Sequence, residues 1–179
     1  MDFEFVKNIK FVIVDVDGVL TDGTIYIDSQ GCETKAFSVL DGTGISYLHR
    51  VSIKTAIISG RNCNAVTHRA KELGIEDVYQ GIKNKLDAYN QLLEKYALRD
   101  EEICYIGDDL IDLPILYRVG FSVAVANASP IVKRQSDYVT KARGGYGAVR
   151  EVAEKILRFQ DKWHFIMERY QKPPEKEGR

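Results

Sequence analysis

The chain has 179 residues and a mass of 20.3 kDa, with 25 Lys+Arg against 26 Asp+Glu, three His and three Cys. A domain of that size buries about 70% of the surface its unfolded chain exposes, so it needs no disulfide or metal staple to fold. Hydrophobic residues at 45% and charged residues at 28% fit a globular protein and exclude a disordered one. No apolar run approaches the roughly 20 residues that cross a bilayer, which argues against a membrane protein.

The first residues carry Asp2 and Glu4 and lead straight into a strand-like segment, without the basic start and apolar core of a secretory signal. Residues 10–15 (KFVIVD), 55–59 (TAIIS), 103–107 (ICYIG) and 121–126 (FSVAVA) are short, nearly continuous apolar runs. Such runs suit parallel strands covered on both faces. Helical patterns lie between them at about 44–51, 62–73, 84–96 and 110–119, with Gly74 and Gly120 as stops and Asp109 as a cap. This alternation predicts an α/β, doubly wound, mostly parallel sheet. Residues 24–27 and 34–39 flank Asp28-Ser29-Gln30-Gly31 and read as a hairpin inserted at about 23–39. A helix is expected over about 147–171, ended by Pro173 and Pro174, with a disordered tail at 173–179. Residues 1–172 are thus read as one domain.

Cys32, Cys63 and Cys104 are odd in number and widely spaced, so they give neither a disulfide framework nor a zinc pattern. The expectation is a reduced, cytoplasmic protein. His49, His68 and His164 show no ligand or triad spacing. Residues 1–132 carry 13 basic and 19 acidic groups, and 133–179 carry 12 and 7. The basic surplus of the second part is too small and too mixed in sign to predict nucleic-acid binding. It fits a helix with a solvated charged face.

Three of the four predicted core strands end in polar clusters, at the edge where open α/β sheets bind ligands. Asp15-Val16-Asp17-Gly18 sets two carboxylates two residues apart. Asp15 could attack phosphorus and Asp17 could move the proton, while Gly18 lets the chain turn away without crowding a ligand. Ser59 and Gly60 can donate to phosphoryl oxygens. Lys85, at a predicted helix start, is locally unfavourable against the dipole and better explained by a nearby anion. Asp108, with Asp109 and Asp112, offers hard oxygen ligands of the kind Mg²⁺ takes. Each piece has a plainer use: Asp-x-Asp-Gly as a turn, Ser-Gly as a cap, the lysines as solvated charges, and Asp109 as a helix cap.

Taken together, the four motifs resemble the haloacid dehalogenase superfamily of phosphatases. Its closing motif is matched by Gly107 to Asp112 with one residue fewer before the last Asp. The resemblance implies a Rossmann-like fold, with Asp15 as nucleophile and Asp17 as acid/base. It also implies Mg²⁺ held by Asp15, the Asp17 carbonyl and Asp108. A narrower likeness runs through residues 15–23, Lys35-Ala36-Phe37, residues 41–45 and residues 143–151. These segments resemble the 3-deoxy-D-manno-octulosonate 8-phosphate phosphatases, which act in lipopolysaccharide precursor synthesis. Relatives acting on nine-carbon sialic-type sugar phosphates tend to carry Glu where Arg61 stands. A sialic-type 9-phosphate and a non-catalytic module of the same fold are the alternatives.

The gaps between motifs leave no room for a cap domain, so the substrate would lie exposed on one side. Lys35, Arg61 and Arg143 are candidates for the carboxylate of a small anionic sugar phosphate. The resemblance implies a homotetramer whose hairpins associate centrally.

Overall fold

The computed structural model describes residues 4–171; the tail expected to be disordered lies outside them. Six strands form one wholly parallel sheet: β1 (Phe11–Val14), β4 (Lys54–Ile58), β5 (Asp77–Tyr79), β6 (Ile103–Gly107), β7 (Phe121–Ala124) and β8 (Tyr138–Val139). Their order across the sheet is β5-β4-β1-β6-β7-β8. The chain winds outward from β1 through β4 to β5, then returns to the other side of β1 at β6. A crevice opens at such a reversal, beyond the carboxyl ends of the two central strands. Phe11–Val14 and Ile103–Gly107 are buried at every position, as expected of strands covered by helices on both faces. Val14 is in register with Ile57 on one side and Ile106 on the other, so the three strands end in step.

The helices are α1 (Val39–Arg50), α2 (Asn64–Leu73), α3 (Lys85–Tyr96), α4 (Leu113–Leu116), α5 (Pro130–Gln135), α6 (Ala148–Phe159) and α7 (Trp163–Glu168). Helix α1 begins five residues earlier than the pattern predicts. The Ser38 side chain accepts from the N–H groups of Leu40 and Asp41, capping a turn whose glycines disguise it as loop. Gly42 and Gly44 serve close packing instead: a Cβ on Gly44 would meet the Arg150 Cα at 2.7 Å, where α1 crosses α6. The buried Ile45 and Leu48 of α1 join Val149, Val152, Ala153 and Ile156 of α6 in the main core.

The long C-terminal helix expected over 147–171 is two helices. Asp161 takes a positive φ of 54°, and the Lys162 N–H donates to the Leu157 carbonyl, closing α6. The chain then turns so that Trp163 stacks edge-on against Tyr47 of α1. The predicted helix over 110–119 is likewise a 3₁₀ turn, Leu110–Asp112, followed by the single turn of α4. The hairpin at 23–39 is present but small, with β2 (Tyr26–Ile27) antiparallel to β3 (Glu33–Thr34). The edge strands β5 and β8 escaped the sequence reading because they are only three and two residues long. No helix among the described residues is long and apolar enough to cross a membrane.

At the opposite end of the sheet Glu102 accepts from Lys10 Nζ at 2.6 Å and from the Arg99 N–H at 2.9 Å. These bonds, Lys10 first, hold its carboxyl down at about 2 against an ordinary 4.5. A depressed carboxyl adds stability above its ordinary value and loses it as pH falls towards the folded one. Glu102→Gln is therefore expected to lower the melting temperature at pH 7 and to flatten its decline between pH 4.5 and 2, read by thermal scans across pH.

Candidate active site

Strand β1 delivers Asp15 at its last step, where the Asp15 N–H still donates to the Ile106 carbonyl at 3.1 Å. The following turn, Val16–Leu20, is closed by the Thr21 N–H on the Val16 carbonyl, and Gly18 sits at φ 85°. Gly18 is required twice over. The positive φ favours glycine, and any Cβ would collide with the Asp108 carboxylate. Asp108 leaves the end of β6 next door, so carboxylates from two adjacent strands face one another.

Asp15, Asp108 and Asp112 each bring a carboxylate oxygen within 4.8 Å of the others. Asp112 is differently employed from the other two. Its Oδ1 accepts from Lys85 Nζ at 2.7 Å and from the Tyr105 hydroxyl at 2.6 Å, and its Oδ2 accepts from the N–H groups of Asp108 and Asp109. Fully buried, it fixes the turn that carries Asp108 and is saturated with donors. Lys85, at the start of α3, reaches Asp15 Oδ1 at 2.9 Å and is itself buried. Burial works against its ammonium, but Asp15 and Asp112 outweigh it and raise its pKa.

Positive charge remains short. Burial pushes the Asp15 carboxyl up to about 7 although Lys85 pulls it down. Asp108 is likewise pushed to about 7, by burial and then by the charges of Asp15 and Asp112. An all-oxygen donor set with excess negative charge fits a hard divalent cation such as Mg²⁺.

Asp15, Asp17, Ser59, Gly60, Arg61, Asp108 and Asp109 line one open cleft of about 230 Å³, together with Gly23 and Ile111. Ser59 follows β4, is buried, and accepts from the Arg61 N–H at 3.3 Å, leaving its hydroxyl hydrogen free to donate. Asp109 caps the 3₁₀ turn through the Leu110 N–H at 2.8 Å, the plainer role weighed for it. Arg143 is exposed and is not among the residues lining the cleft.

Lys35 does not lie open to a substrate carboxylate as expected. Its side chain is only 2% exposed, and its ammonium is enclosed between Asp17 Oδ1 and Glu33 Oε1. Arg61 lies at the rim, its Nη2 on Glu33 Oε2 at 2.7 Å.

Four contributors escaped the sequence reading. Glu33 sits two residues before Lys35, an alternation that places both on one face of an extended segment and was visible in principle. Tyr105 is hidden inside an apolar strand. Asn127 donates to the Gly18 carbonyl at 3.0 Å and accepts from the Gly144 N–H at 2.6 Å, tying the turn after Asp15 to the glycine-rich loop. Asp41 accepts from the N–H groups of Gly147 and Arg150, both at 3.1 Å, at the start of α6. Asn127 belongs to none of the quoted motifs, and Asp41 opens the 41–45 segment of the family likeness, which does not announce this role.

Removing one partner from a buried ionic cluster leaves the other uncompensated, at a cost of about 3–5 kcal/mol. Asp112→Ala should destabilise the fold by about that amount, measured by urea denaturation, because Tyr105 and two N–H groups lose their acceptor and Lys85 is left with Asp15 alone.

Residues 77–151 match the family model of haloacid dehalogenase-like hydrolases. The chain is 51% identical over 156 residues to the 3-deoxy-D-manno-octulosonate 8-phosphate phosphatase of Escherichia coli K12, covering 87% of this chain and 83% of that protein. The enzyme of that name from Moraxella catarrhalis, solved with magnesium, phosphate and KDO, superposes with a TM-score of 0.92 at 43% identity, over 94% of this chain and 97% of that one. A cobalt-bound form from Haemophilus influenzae gives 0.85 at 42% identity, over 88% and 92%. By these likenesses and the sheet topology, the chain belongs to the haloacid dehalogenase-like hydrolases, in the family of 3-deoxy-D-manno-octulosonate 8-phosphate phosphatases.

Proposed function

We propose that the protein is a Mg²⁺-dependent phosphomonoesterase that hydrolyses 3-deoxy-D-manno-octulosonate 8-phosphate to the free sugar acid and phosphate. The observation that carries this reading is the meeting of Asp15 and Asp108 at the crevice between β1 and β6, with Lys85 behind Asp15. The Moraxella relative supports the choice of substrate, since its crystal held phosphate and KDO, the two products of this hydrolysis. Arg61 supports it over a sialic-type 9-phosphate.

Asp15, the Asp17 backbone carbonyl and Asp108 would hold Mg²⁺, which when bound polarises the phosphoryl oxygens and offsets their repulsion from Asp15. In this reading the Asp15 carboxylate attacks phosphorus in line as the bond from phosphorus to the sugar oxygen breaks, giving an aspartyl-phosphate. Asp17 gives its proton to the departing alkoxide. It then takes a proton from the water that attacks the same phosphorus, releasing phosphate and restoring Asp15. Lys85 keeps Asp15 oriented and shares the charge, while the Ser59 hydroxyl and the Gly60 N–H bind phosphoryl oxygens. Gly18 keeps the approach to phosphorus clear. Arg61 at the rim binds the substrate carboxylate, and Arg143, exposed outside this cleft, and Lys35 are the further candidates for it.

We read the assembly as a cytoplasmic homotetramer. Its support is the hairpin, whose Ile25, Tyr26 and Ile27 stand 45%, 46% and 65% exposed and would be covered by neighbouring copies.

Asp15→Asn should abolish phosphate release while leaving the melting temperature near that of the parent. Asp17→Asn should cost about 10²–10⁴-fold in turnover, the usual worth of a positioned proton donor. Chelator should remove activity and added Mg²⁺ restore it; persistent turnover in either the Asp15→Asn variant or chelator would overturn the mechanism. Light scattering should give the mass of four chains, and a fully active monomer would overturn the assembly.

A further inference from the structure

The hairpin does more than cover a surface, because it sends two charged side chains under the cleft. Glu33 and Lys35 alternate with the exposed Thr34, so both face inward. Lys35 bridges Asp17 Oδ1 and Glu33 Oε1; Glu33 Oε2 in turn receives Arg61. Arg61 Nε stands 3.8 Å from Asp17 Oδ2, too far for a hydrogen bond. The result is a closed chain of two acids and two bases in which two oxygens, Asp17 Oδ2 and Glu33 Oε1, have no hydrogen bond, Glu33 Oε1 meeting Lys35 as an ion pair. Asp17 Oδ2 is buried and accepts no hydrogen bond. Asp17 lines the cleft, and Lys35 clamps its other oxygen.

We infer that Lys35, braced by Glu33, is a positioning residue for Asp17: it pins one carboxylate oxygen and so fixes the orientation of the carboxyl group beside the cleft. The inference rests on the reading of Asp17 as the acid that protonates the departing alkoxide. A carboxylate on a free rotor would share its time among several orientations, whereas a fixed one meets the leaving oxygen at hydrogen-bonding distance. The bracing by Glu33 matters because Lys35 has a long, flexible stem. Two carboxylates fix its ammonium where one would let it swing. This arrangement gives the small hairpin a part in proton transfer as well as any part in assembly.

Leaving-group chemistry separates positioning from plain structural support. Phosphate esters of alcohols need their alkoxide protonated, but p-nitrophenolate leaves without help. The quotient kcat/KM covers only the steps up to departure of the alcohol, so the later use of Asp17 as a base cancels from the comparison. Lys35→Met and Glu33→Gln, in the full chain with Mg²⁺, would be assayed on octulosonate 8-phosphate, glycerol 3-phosphate and p-nitrophenyl phosphate. The expected result is a fall in kcat/KM at least about tenfold larger for both alkyl phosphates than for the aryl one. Lys35→Arg is expected to recover part of the alkyl activity.

Partial unfolding lowers all three rates equally and leaves the ratio unchanged, so an equal loss on all three overturns the inference. So does no loss on any. A loss confined to octulosonate 8-phosphate also overturns it, because glycerol 3-phosphate carries no carboxylate and the effect would then be substrate binding. Failure of the underlying reading looks different: the unmodified chain would turn over none of the three, or Asp15→Asn would keep its activity.

Discussion

Carboxylates taken out of water repel one another strongly and are held together only where cations compensate them. The carboxyl edge of this sheet gathers Asp15, Asp108 and Asp112 around one ammonium, that of Lys85. Much of the surrounding structure can be understood as a response to that imbalance. Asp112 is neutralised locally by Lys85, a tyrosine hydroxyl and two backbone N–H groups, so it serves as framework. Asp15 and Asp108 keep oxygens without such partners, and the buried edge leaves them hungry for a divalent ion.

The register of the sheet makes this possible. Because β1, β4 and β6 end in step, the residues that follow them arrive at one level. The apolar runs anchor the strands in the core, and the first polar residue after each run marks where burial gives way to chemistry. The site is therefore as rigid as the sheet beneath it, which suits in-line attack, where small displacements are costly. The open rim is built by contrast from the hairpin, whose paired strands are two residues each.

Both the legible and the illegible parts of the chain follow from these physical facts. Buried parallel strands leave continuous apolar runs, so β1, β4, β6 and β7 could be read directly, and so could the acidic clusters after β1 and β6. Short edge strands such as β8 leave too little pattern to see. Periodicity alone extended the last helix through Gln160, because a break made by a backbone reversal at Asp161 changes no apolar spacing. Glycines misled at α1, where Gly42 and Gly44 mark close approach between helices and not the absence of a helix. The surroundings of Lys35 were illegible for another reason: sequence shows that a cation is present but not which anions enclose it. Asn127 and Asp41 act through pairs of hydrogen bonds to residues far along the chain, which have no local signature, whereas Glu33 left one in its alternation with Lys35.

The glycine-rich loop before α6 carries a last implication. A side chain on Gly144 would strike the Gly18 carbonyl, and one on Gly145 would lie 2.7 Å from the Asp22 N–H, so backbone rests on backbone there. Asn127 bolts the same junction from the side, and Asp41 fastens the far end of the loop to α1. Variation between related proteins should accordingly be absorbed in the hairpin tip around residues 28–31, where Gly31 has open space about it. The junction itself can accept almost no change of bulk, so drift in the C-terminal half of the molecule is constrained by a turn lying more than a hundred residues earlier.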